Sequence, residues 1–84
     1  MEAERKLMIG GVYRHFKGKR YQVLDVALHS ETLEEYVVYR QLYGEGKTWI
    51  RPLEMFLEPV DKVKYPDCTQ AFRFELESMD DTEE

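Results

Sequence analysis

Eighty-four residues make one domain with little room for a deep cleft, because a chain this short buries only about 60–65% of the surface it exposes when unfolded. The net charge is −5, yet six of the 17 acidic residues and none of the basic ones lie from Glu75 onward. The body is therefore close to neutral and lacks the basic excess of a dedicated nucleic-acid binder, although Arg14, Lys17, Lys19 and Arg20 sit close enough in sequence to form a local patch.

Cys68 is the one cysteine, so no internal disulfide is available. The first six residues are charged rather than signal-like, and no apolar run is long enough to span a bilayer. These features lead to the expectation of a cytoplasmic protein.

In chain order, residues 1–10 are polar with a small apolar end and are expected to be partly frayed, with Gly10-Gly11 as the break. Residues 12–16 alternate as a strand, and Lys17-Gly18-Lys19 is a turn signal. Residues 21–29 form a second strand, with Leu24, Val26 and Leu28 on one face and Tyr21, Val23 and Ala27 on the other. Two apolar faces suggest a strand that bends between sheets or lies at the centre of a barrel.

Residues 30–35 are polar. Thr32 and Glu35 fit a capping box for one helical turn, and a loop is the competing reading. Residues 36–43 are a third strand rich in β-branched and aromatic side chains. Gly44-Glu45-Gly46 closes a hairpin, best read as a three-residue loop with Gly46 left-handed. That register sets Gln41 opposite Trp49 and Tyr39 opposite Arg51, and it avoids the like-charge pairing of Arg40 with Arg51 that a two-residue turn would impose.

Residues 48–51 are strand four, which Pro52 ends. Residues 52–56 read as one helical turn with proline in its first position, and Pro59 prevents its continuation. Residues 61–70 are a loop, and residues 71–76 a last strand with Phe72 and Phe74 on one face. The expected architecture is all-β: a small, strongly bent antiparallel barrel, SH3-like, of about five strands with one short helical turn before the last. The domain spans 11–76, and 77–84 is expected to be a disordered acidic tail.

Several short motifs in this order also resemble a known family. They are Gly11-Val12-Tyr13-Arg14-His15-Phe16-Lys17-Gly18, His29-Ser30-Glu31-Thr32-Leu33-Glu34, Val37-Val38-Tyr39-Arg40, Tyr43-Gly44-Glu45-Gly46 and Trp49-Ile50-Arg51-Pro52-Leu53-Glu54-Met55-Phe56. Together they look like the bacterial domain of unknown function 1653. The family pattern closes on proline-arginine-phenylalanine, whereas here Phe72-Arg73-Phe74 keeps only the arginine and the second aromatic ring. The resemblance implies a small bacterial cytosolic protein, sometimes joined to other domains, and brings no activity to transfer.

Little in the chain suggests chemistry. His15, His29 and Cys68 have no metal-ligand spacing, so neither a metal nor a cofactor is expected. His29-Ser30-Glu31-Thr32 sets a base, hydroxyls and an acid side by side. Neighbours in an extended segment point to opposite faces, and no glycine elbow accompanies Ser30, so no catalytic set is assigned. Asp67 beside Cys68 disfavours a reactive thiolate.

The sharper candidate is the hairpin with Tyr39, Arg40, Trp49 and Arg51, because arginine beside an aromatic face can clamp a planar or anionic group. The competing reading pairs Arg51 with Glu31, Glu34 or Glu54 and buries Trp49 in the core. The expected function is a non-catalytic module binding a small anionic or planar ligand or a peptide. Its candidate ligand-binding residues are Arg40, Trp49 and Arg51, with His29, Ser30 and Glu31 from the preceding loop. The alternatives are a single-stranded nucleic-acid binder and a small hydrolase or transferase using His29. No membrane partner is expected.

Overall fold

The computed structural model describes residues 6–79. Its strands are β1 (Gly11–His15), β2 (Arg20–Leu28), β3 (Glu35–Gln41), β4 (Thr48–Pro52) and β5 (Phe74–Met79), with one helix, α1 (Leu53–Leu57), between β4 and β5. The strands form one antiparallel sheet in the order β4-β3-β2-β1-β5. Among the described residues no helix is long and apolar enough to cross a membrane.

The fold is all-β and strongly bent, but the expected barrel stays open: β4 and β5 are the two edges of the sheet. In a flat sheet they would stand about 19 Å apart, four strand spacings. Yet the guanidinium carbon of Arg51 on β4 lies 5.4 Å from the ring centroid of Phe74 on β5, so the sheet curls until side chains from its edges meet. Phe56 of α1 fills the remaining opening and stacks on Phe74 at 4.1 Å with the rings 9° apart. The core is Tyr13, Val23, Val37, Tyr39, Phe56 and Phe74, all on the concave side.

A bulge in β2 explains its two apolar faces. The β2–β3 pairing runs Val23↔Tyr39 and then Asp25↔Val38, so Leu24 is an extra residue and the side-chain parity switches there. Tyr21 and Val23 before the bulge thus share a face with Val26 after it. The strand is central in one sheet and does not pass between two.

Three expectations are corrected. The hairpin register is Tyr39↔Trp49 and Val37↔Arg51, shifted by two from the one predicted. The connection is a longer loop, in which the Gln41 N–H donates to the Lys47 carbonyl and the Gly46 N–H to the Tyr43 carbonyl. The last strand begins at Phe74, while Phe72 forms an isolated bridge with Pro59. Glu77, Ser78 and Met79 belong to β5 and not to a tail, with Arg20 paired to Glu77 through a two-pronged ion pair. The rest of the expected tail, residues 80–84, lies outside the described residues, as do residues 1–5 of the expected N-terminal fray.

Residues 7–10 are tied down. The Gly10 N–H donates to the Val23 carbonyl, and the Met8 N–H to the buried Tyr13 hydroxyl. Residues 30–34 form a turn without a helix, closed by the Leu33 N–H on the His29 carbonyl, with Leu33 at φ 64°.

Candidate functional site

β4 presents Trp49 and Arg51 on the face that β3 lines with Val37, Tyr39 and Gln41. β2 extends that face through Tyr21, which pairs with Gln41. Past the end of β3, Tyr43 folds back over the same side. Tyr21, Tyr39, Tyr43, Trp49 and Arg51 enclose a shallow depression of about 230 Å³.

Each side chain there is held. The Trp49 indole N–H donates to Gln41 Oε1 at 2.7 Å, and Gln41, itself buried, donates through Nε2 to the Tyr43 carbonyl at 3.3 Å. The indole is fixed in this way although it is 48% exposed, so it is not the core tryptophan of the competing reading. The Tyr21 and Tyr43 hydroxyls share a hydrogen bond of 2.6 Å. Burial, then that bond and the neighbouring Tyr43 and Tyr39, push the Tyr21 phenol up to about 12 against an opposing pull from Arg51. Lys19 Nζ sits 4.6 Å over the Tyr43 ring.

Arg51 is the charged group of the depression. Its Nε–H donates to the Tyr39 hydroxyl at 3.2 Å, and its guanidinium lies against Phe74. Among the described residues it has no carboxylate partner: the arginines in ion pairs are Arg20 with Glu77 and Arg73 with Glu58. Neither Glu31, Glu34 nor Glu54 neutralises it.

His15 lies just beyond, half-buried against Phe16 and Phe74 at 4.6 and 4.8 Å between centroids. Its Nδ1 accepts the Lys17 N–H. Burial first, then the charges of Arg73, Arg51 and Lys17, lower its pKa to about 4, so it is neutral at pH 7 and a weak base.

The remaining candidates sit elsewhere. Arg40 faces the other side of the sheet, as its place between Tyr39 and Gln41 requires, and its Nε–H donates to the Gly46 carbonyl at 3.2 Å. His29, Ser30 and Glu31 occupy the exposed β2–β3 turn, and none of them lines the depression. His29 Nδ1 accepts the backbone N–H groups of Glu31 and Thr32 at 3.1 and 3.3 Å. It organises its own loop.

Tyr21, Tyr43 and Gln41 are not among the candidate ligand-binding residues that the sequence singles out. Strand parity holds the signal, since residues 39, 41, 49 and 51 share a face in any register shifted by two. The depression offers one guanidinium fork, aromatic surface and two linked hydroxyls, with neither carboxylate nor histidine on its lining.

The family model for DUF1653, a protein of unknown function, matches residues 11–76. The chain belongs to the DUF1653 family. The crystal structure of a protein belonging to DUF1653 from Bordetella bronchiseptica is similar to it, at 36% sequence identity and a TM-score of 0.69, covering 83% of this chain and 87% of that one. No curated protein matches. The DUF1653 span includes every residue of the aromatic depression.

Proposed function

We propose that this DUF1653 protein is a non-catalytic binding module whose aromatic depression takes a small planar anion, with a carboxylate on a flat ring as the fitting chemistry. The observation that supports this is the state of Arg51. Its Nε is anchored on Tyr39, it has no acidic partner among the described residues, and its two terminal nitrogens make no hydrogen bond there. A guanidinium so placed offers two parallel donors, the geometry that matches a carboxylate. Trp49 and Tyr43 supply apolar walls for the ring that carries it.

Trp49 is the single tryptophan and lines the depression, so its fluorescence reports occupancy. Titration with benzoate should change Trp49 emission saturably, whereas benzamide, its neutral counterpart, should leave it unchanged. An equal response to benzamide, or none to benzoate at millimolar concentration, would remove the proposal.

A further inference from the structure

A larger depression, about 650 Å³, lies away from the aromatic cup, between the β1–β2 turn and the 61–70 loop. Its volume falls within the roughly 300–1,000 Å³ common for small-molecule sites. Arg14, Lys17 and Lys64 line it, and none of them has an ion-pair partner among the described residues. Asp67 is the one acidic residue on its lining.

The two lysines converge on one ring: Lys17 Nζ and Lys64 Nζ each stand 5.6 Å from the Tyr65 centroid. Phe16 packs edge-on against Tyr65 at 4.9 Å. The backbone beneath is built. The Phe16 N–H donates to the Arg73 carbonyl, the Gly18 N–H to the His15 carbonyl, and the Tyr65 N–H to the Asp61 carbonyl.

A second observation comes from Gln70, which lines the same depression and is only 7% exposed. Its Nε2 donates to the carbonyls of Arg14 and Phe72 at 2.9 and 3.0 Å, so both amide hydrogens are used. Its Oε1 accepts no hydrogen bond among the described residues. Solvent reaches this oxygen, since Arg73 Nε is the one sealed side-chain polar atom without a partner among the described residues, and a ligand N–H would take the place of water on it.

We infer that this depression is a second binding site, for a nucleoside phosphate. Arg14, Lys17 and Lys64 hold the phosphate, a ring of the base lies against Tyr65, and a base N–H reaches Gln70 Oε1. Lys17 and Lys64 rest on Tyr65 through cation–π contacts, which they exchange for the stronger phosphate interaction. The vacated ring face then receives the base. An isolated anion would leave the aromatic surface and Gln70 unused.

The test is amide chemical-shift mapping of the ¹⁵N-labelled protein with AMP, GMP and a single-stranded oligonucleotide, and with inorganic phosphate as control. A nucleotide or the oligonucleotide should move resonances of residues 14–18 and 64–70 saturably. The effect should weaken with added salt and fall by about tenfold or more in Lys17→Ala/Lys64→Ala. Both lysines are exposed, so that variant should melt with the parent, and Arg51→Ala should bind as the parent does. A response to the mononucleotides marks a free nucleotide as the source, and a response to the oligonucleotide alone marks a strand. The assignment is overturned if neither binds, if inorganic phosphate produces the same response, or if the double variant binds unchanged.

Discussion

The guanidinium of Arg51 lies 5.4 Å from the ring centroid of Phe74, although the two residues belong to opposite edges of the sheet. Phe74 stacks on Phe56, Phe56 meets Tyr39 edge-on at 5.3 Å, and the Tyr39 hydroxyl takes the Arg51 Nε–H. Arg51 thus joins the edges of the curl from its rim while leaving its outer nitrogens unengaged.

Replacing Arg51 by Ala removes one cation–π contact and one hydrogen bond, for a loss of about 1–2 kcal/mol. In a domain of this size that lowers the melting temperature by roughly 4–16 °C while the protein remains folded. Thermal and urea melts measure it. A loss above about 4 kcal/mol would show that Arg51 serves the fold in the first place.

The Phe56–Phe74 stack closes the opening between the sheet edges, and both rings are fully buried. Phe56→Ala should cost about 3–5 kcal/mol, a large share of the total for a small domain. Circular dichroism melts would record most of the stability gone. A loss below about 1 kcal/mol would mean that α1 is not needed to cover the core.

His15 gives a pH dependence with a definite sign. Its folded pKa, about 4, is below its ordinary 6.5, so between those values the unfolded chain binds more protons. The resulting stability is fully present above 6.5 and declines as pH falls toward 4. NMR titration of the His15 ring should find it neutral at pH 6, and His15→Gln should flatten this part of the stability profile. A midpoint near 6.5 would contradict the burial and the flanking cations.

Tyr21 behaves in the opposite direction. Its phenol stays protonated to about 12 in the fold, against 10 when free, so the associated stability is present below 10 and is lost as pH rises toward 12. Ultraviolet titration of tyrosinate should show a late-ionising group that moves earlier in Tyr43→Phe, which removes the 2.6 Å hydroxyl bond. No change in that variant would dissolve the coupling between these rings.

Strand positions are legible in the sequence because alternation and β-branched content act locally, and Pro52 and Pro59 bracket α1 in the chain. The hairpin register is not legible. Turn chemistry favours a three-residue loop at Gly44-Glu45-Gly46, whereas the Gln41 side chain braces a longer one through the Tyr43 carbonyl. A shift of two preserves faces, so Trp49, Arg51 and Tyr39 still stand together. Sequence proximity groups Arg40 with them, although parity turns it to the other side.

The open edge between β4 and β5 is hidden from the sequence because closure depends on curl and on Phe56, both tertiary properties. The bulge at Leu24 leaves only an ambiguous trace, two apolar faces on one strand. Gln70 leaves none, since its partners Arg14 and Phe72 are brought together by the fold alone.

The proposed binding stands on an Arg51 fork open to a carboxylate, and the side-chain Nε–H resonances of the arginines during a benzoate titration report it. The Arg51 resonance should shift saturably with benzoate and stay in place with benzamide, while Arg20 and Arg73, already held by Glu77 and Glu58, stay still. An Arg51 resonance that does not respond to benzoate, or that moves only in parallel with every other arginine, would rule out carboxylate binding at this fork.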